Sequence, residues 1–121
     1  MAALRDLDEL ALRQIWDGAA ARAVYGDRLT LAVVELDAGT AVPEHTHDHE
    51  QLGIVLRGSL TFRVGDETRA LSAGGTWRIP SNVPHDVHVG SEGAVVIDVF
   101  APPRNDWLDR DVFERPLSWP G

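Results

Sequence analysis

From Arg28 onward the chain is cut into short β-branched or aromatic runs by glycine, proline and Asx turns about every eight to twelve residues, the spacing of a sandwich or barrel. An all-β fold is therefore expected. The runs are Leu29–Leu36, Glu50–Leu56, Leu60–Val64, Thr68–Leu71, Thr76–Ile79, His85–Val89 and Ala94–Phe100, with a weaker one at Ala21–Tyr25. Leu60-Thr61-Phe62-Arg63-Val64 alternates strictly, which marks a sheet with one face buried, and Gly65-Asp66-Glu67 turns it back. Toward the start, Leu4, Leu7, Leu10 and Ala11 fall at helical intervals, yet Asp6 to Glu9 serves equally as a loop feeding an edge strand. Beyond Phe100, Pro102-Pro103 ends strand pairing because proline lacks the N–H that a ladder requires. Asn105 to Arg110 reads as a short helix, and the tail through Trp119 as an exposed or partner-packed extension.

With 121 residues the chain is one domain of ordinary size, able to remove roughly two-thirds of its unfolded surface from water without disulfides. It has no cysteine, which excludes thiolate nucleophiles and thiolate metal sites. All eleven of its Lys-plus-Arg residues are arginine, so Schiff-base chemistry is excluded as well. A net charge of −8, with no arginine cluster to offset it, repels phosphate backbones and makes nucleic acid an unsuitable partner. Met1 to Leu12 lacks a basic segment followed by an apolar core, and no run reaches membrane-spanning length. The expectation is a cytoplasmic protein that acts on small molecules.

His45-Thr46-His47-Asp48-His49-Glu50-Gln51 gathers three imidazoles and a side-chain amide within seven residues. On an extended strand His45 and His47 point the same way, so both can reach one ion at about 2.0–2.1 Å. The same alternation puts Gln51 with Gly53 and Val55, and Glu50 opposite them. His49 shares parity with His47 and ligates only if the loop bulges. His88 lies three positions from His85 and faces the other side of its strand.

Gly39, His45, His47, Gln51 and Gly58 resemble the first motif of the cupin superfamily, with Gln51 where an acid is usual, and Gly74, Pro80 and His85 resemble the second, whose later asparagine is replaced by Val89. The resemblance implies a cupin-type double-stranded β-helix, or jelly-roll barrel, with short terminal extensions: a core at about residues 20–102, an extension at 1–19 and a tail at 103–121. It also implies one divalent metal ion in the lumen, held by His45, His47, Gln51 and His85. Zinc, nickel, manganese and iron all suit imidazole, so the donor set does not choose among them. A neutral amide leaves the site its full positive charge, which favours Lewis-acid chemistry over oxygenation.

Asp98 interrupts the apolar strand Ala94–Phe100, and a buried carboxylate is costly unless it neutralises or finds a partner. Asp98-x-Phe100-x-Pro102-Pro103-Arg104 narrows the resemblance to the cupins of pectin and alginate breakdown, of the KdgF type, which turn 4,5-unsaturated uronates into linear keto acids. By that resemblance Asp98 moves protons, Phe100 packs on the sugar ring and Arg104 grips the carboxylate of a small, anionic, oxygen-rich substrate. Two other functions fit the same ligands: a metal-dependent dioxygenase or isomerase, and a non-catalytic binding module. Asp98 and Arg104 can also form a purely structural ion pair. Trp77 reads as core, and Trp16, Trp107 and Trp119 as cover for the outside or a partner. Arg22 and Tyr25 are within reach of the pocket. A homodimer is expected, because the sheet edge near Ala21 to Leu29 invites a partner.

Overall fold

A computed structural model of the chain describes residues 2–121, and nine strands form among them. They are β1 (Leu12–Trp16), β2 (Ala19–Tyr25), β3 (Thr30–Leu36), β4 (Ala41–His45), β5 (Glu50–Val64), β6 (Glu67–Ser72), β7 (Thr76–Ile79), β8 (His85–Ala101) and β9 (Val112–Phe113). All pairings are antiparallel, so each strand can present one face to the core. Among the described residues no helix is long and apolar enough to cross a membrane.

The expected pairs of runs at Glu50–Leu56 with Leu60–Val64, and His85–Val89 with Ala94–Phe100, are in fact two long strands. β5 and β8 pair along their whole length, and their ladder shifts register between Val55 and Arg57 and again between Gly58 and Leu60. At this corner Gly58 has φ +84°, and a Cβ there would collide with the Gly93 carbonyl. The two strands thus run through both walls of the barrel, joined by the bulges rather than by loops. The first half of β5 and the second half of β8 lie in a wall with β3, β2, β1 and β7, and their other halves lie in a wall with β4 and β6.

Inward alternation fills the lumen. Val55, Leu60 and Phe62 of β5 meet Val87, Val89, Ala94 and Val96 of β8, and Ala21, Ala23, Ala32 and Val34 close the far wall. The amide groups of these strands are satisfied by the ladders, so the all-β, jelly-roll expectation holds in its essentials.

The structure departs from the expectations mainly at the ends. The helical spacing at Leu4–Ile15 yields only a 3-10 turn at Leu7–Glu9, and residues 12–16, assigned to an extension, form β1. Pairing with β2 and the burial of Leu12 outweigh the weak helical period. β2 is consequently flanked by both β1 and β3, so the edge near Ala21 to Leu29 is already covered within the chain. The tail packs on its own sheet: β9 pairs with β1, and Arg115 reaches Glu35 and Asp37. Arg22 turns away from the lumen and forms an ion pair with Glu35 at 2.6 Å, while its other amino group donates to the Arg115 carbonyl.

Candidate metal centre

His45 ends β4 and His85 opens β8, and the two are register partners across that ladder, which places their ring centroids 4.2 Å apart. His47 is not on a strand, as strict alternation would have it; it lies in the loop between β4 and β5. The Asn82 N–H donates to the His47 carbonyl at 2.9 Å, tying that loop to the turn before His85. Asn82 has φ +65°, a left-handed conformation that asparagine tolerates better than most residues. His45, His47 and His85 each offer a ligand atom within 4.8 Å of the others.

Backbone carbonyls set the direction of all three rings. His45 Nδ1 lies 2.8 Å from the Pro43 carbonyl, His47 Nδ1 2.9 Å from that of His49, and His85 Nδ1 2.9 Å from that of Val83. A carbonyl only accepts, so each Nδ1 carries the proton and each Nε2 keeps a lone pair. Burial and the neighbouring imidazoles push His85 down to about 4, and burial also lowers His47, so both rings are neutral at physiological pH.

Gln51, buried at the start of β5, completes the set. Its Nε2 donates to Asp98 Oδ1 at 2.9 Å, which turns Oε1 toward His47 Nε2 at 3.1 Å. Two acceptors face each other there, and His85 Nε2 is buried with no partner. Acceptors that converge in a dry place repel unless something positive lies between them. A divalent cation fits this donor set of three neutral imidazole nitrogens and one amide oxygen, and each imidazole already has the outer hydrogen bond that metal-bound histidines make. Glu50 and His88 point outward, as alternation requires. His49 stays outside the group of three; its Nδ1 is buried and unpaired.

Asp98 lies behind Gln51 on β8 and is 8% exposed. Its Oδ1 accepts from both Gln51 Nε2 and Trp77 Nε1, the latter at 2.8 Å. Burial pushes the carboxyl up to about 6 and outweighs the two hydrogen bonds and the more distant Arg104 charge, which pull it down. Asp98 therefore ionises near pH 6 rather than in the usual aspartate range.

The structural ion pair between Asp98 and Arg104 does not form. Arg104 pairs instead with Asp106, and its guanidinium lies over the rings of Phe100 and Trp107, 4.7 and 4.6 Å from their centroids. Phe100 is buried and closes one side of the site, 6.0 Å from the His47 ring. The cavity in front of these groups measures about 380 Å³. Trp16 stands at its mouth 5.2 Å from His45, and Trp107 lies buried behind Arg104 rather than on the outside.

Sequence reading did not find the role of Trp77, because it depends on register. Gly53 on β5 is paired on one side with Trp77 and on the other with Asp98, and the indole crosses the space that a side chain would fill. A Cβ on Gly53 would overlap the indole nitrogen and its neighbouring ring carbons. Gly53→Ala is thus expected to lose about 1–3 kcal/mol of stability and to break the Trp77–Asp98 hydrogen bond. Urea unfolding and the indole N–H resonance of Trp77 check the two effects.

Comparison with known proteins identifies the family. The family model described as "Cupin domain" matches residues 32–100. The pectin degradation protein KdgF of Dickeya dadantii (strain 3937) is 32% identical over 103 residues, spanning 84% of this chain and 94% of that protein. The structure of KdgF from Halomonas sp. superposes with a TM-score of 0.79 at 25% identity, covering 88% of this chain and 98% of the other. An RmlC-like cupin from Shewanella frigidimarina NCIMB 400, at 23% identity and TM-score 0.80, covers 88% of this chain and 96% of its own, and shows the fold alone. The chain belongs to the cupin family, and among cupins it resembles the KdgF proteins.

Proposed function

We propose that this cupin is a metal-dependent enzyme that opens the ring of a 4,5-unsaturated uronate to give a linear keto acid. The observation that carries the reading is Asp98: a buried carboxylate lining the cavity, hydrogen-bonded to the amide that faces the three histidines. The name of its relative from Dickeya dadantii, a pectin degradation protein, supports the substrate class. When bound, a divalent ion supplies a Lewis acid that polarises a substrate oxygen.

The chain's own groups do the rest. Gln51 and Trp77 hold Asp98 Oδ1, so Oδ2 is the oxygen that faces chemistry. It takes the proton from the anomeric hydroxyl as the bond between the anomeric carbon and the ring oxygen breaks, and a proton returns to the leaving oxygen. The product is an aldehyde and an enol, which settles as the ketone when its carbon takes up a proton and its oxygen gives one up, so the change is an isomerisation with no co-reactant. Arg104 grips the substrate carboxylate, and Phe100 packs against the ring.

The test is to mix the purified, metal-loaded protein with unsaturated galacturonate and follow the loss of its enol-ether absorbance against an uncatalysed control. Acceleration is expected. A rate equal to the control with zinc, nickel, manganese and iron alike overturns the proposal.

A further inference from the structure

Arg104 already holds a carboxylate. Its Nε and Nη2 donate to Oδ1 and Oδ2 of Asp106 at 3.1 and 3.0 Å, the two-pronged arrangement that an external carboxylate makes with arginine. The two partners are held very differently. The Arg104 guanidinium packs against both the Phe100 and Trp107 rings, its backbone N–H donates to the Thr30 hydroxyl, and its side chain is 13% exposed. The Asp106 side chain is 49% exposed and sits on a short 3-10 turn. Both residues line the cavity.

The Nε/Nη2 edge of Arg104 is filled by Asp106, so a ligand carboxylate that binds along this edge has to displace it. Asp106 can rotate into water, where its oxygens are solvated again. Arg104 would have to abandon two aromatic faces and a ligand-facing position.

We propose that Asp106 is an internal competitor for the anion subsite: it occupies Arg104 in the ligand-free protein and is exchanged for the carboxylate of the incoming acidic ligand. The inference rests on the reading of Arg104 as the carboxylate grip. Exchange conserves the pairing of Arg104, so a free acid can displace Asp106, whereas an ester or a neutral sugar offers nothing equivalent in return. Asp106 thereby weakens acid binding and hastens its release, since each departing acid is replaced by an internal one.

The experiment measures binding to the metal-loaded full chain by calorimetry, with galacturonate, its methyl ester and acetate as probes. Asp106→Asn, and Asp106→Ser as a second variant, are expected to bind galacturonate about two- to five-fold tighter and to leave the ester unchanged. Asp109→Asn, which removes an exposed charge from the same turn, is expected to stay close to the parent value. Weaker galacturonate binding by both Asp106 variants overturns the proposal and makes Asp106 a positioning residue for Arg104. Equal tightening by Asp109→Asn, or of the ester, also overturns it, as a mere charge or folding effect. If no carboxylate binds to the parent or any variant, the grip itself is wrong. Tighter galacturonate binding without turnover of unsaturated galacturonate leaves the exchange standing and removes the ring-opening reaction.

Discussion

Asp98→Asn is expected to lower turnover by about 10²–10⁴-fold while the metal stays bound. An asparagine oxygen still accepts from Gln51 Nε2 and Trp77 Nε1, so Gln51 keeps its direction, but the amide carries no proton that it can exchange. The same change has an opposite effect on stability in the metal-free protein. The Asp98 carboxyl rises from 3.8 to about 6 on folding, so its proton is held more tightly by the folded chain. The stability this provides is complete below pH 3.8 and lost as pH rises through 6; above that, burial of the ionised form costs on the order of 1–3 kcal/mol. Asparagine avoids that cost. Metal-free Asp98→Asn therefore unfolds at higher urea than the metal-free parent at pH 7.5, and the gap narrows toward pH 4.5. Turnover within ten-fold of the parent, on an assay that reads the ring opening, removes Asp98 as the proton carrier.

His85→Ala is expected to weaken divalent-metal binding by more than about 100-fold, since loss of an outer hydrogen bond alone costs 10–100-fold at such sites. His85 is 2% exposed and comes from the other motif, so water has little room to take its place. Because the ion binds the folded chain, adding metal raises the melting temperature of the parent, and that rise disappears in the variant. The metal-free forms behave differently under acid. His85 falls from 6.5 to about 4 on folding, which makes the unfolded chain the better proton acceptor, so its contribution is present above pH 6.5 and lost as pH falls toward 4. His85→Ala removes that acid sensitivity along with the metal. Unchanged metal affinity in this variant means that the ion is held elsewhere.

The strands were legible in the chain wherever alternation or turn residues marked them; the histidine spacing put His45 and His47 on one face, and the resemblance to the two cupin motifs added Gln51 and His85. What alternation could not show is where strands continue through a corner. Gly58 and Gly93 read as turns, yet they let β5 and β8 bend without ending. β4 went unrecognised because Pro43 and Glu44 break its apolar pattern, although the ladder to β8 is what sets His45 against His85. The neighbours of Asp98 were equally invisible. Trp77 and Gly53 meet Asp98 through pairing between residues more than 20 positions apart, and only register decides that. Arg104 was found by its motif, and of its two readings the ion pair with Asp98 does not form: Asp106, two residues away on the same turn, reaches it more readily than the buried Asp98. Tertiary pairing also decided the N-terminal segment, where a weak helical period gave way to an edge strand.

Nitrogen-15 resonances of the histidines, recorded while zinc is added to the metal-stripped protein, test the convergence of four lone pairs on a cation most directly. Saturation is predicted at one ion per chain, with the Nε2 signals of His45, His47 and His85 moving together while their Nδ1 atoms stay protonated and those of His49 and His88 stay in place. Three Nε2 signals that remain where they were, with the ion absent or bound to other groups, contradict the account.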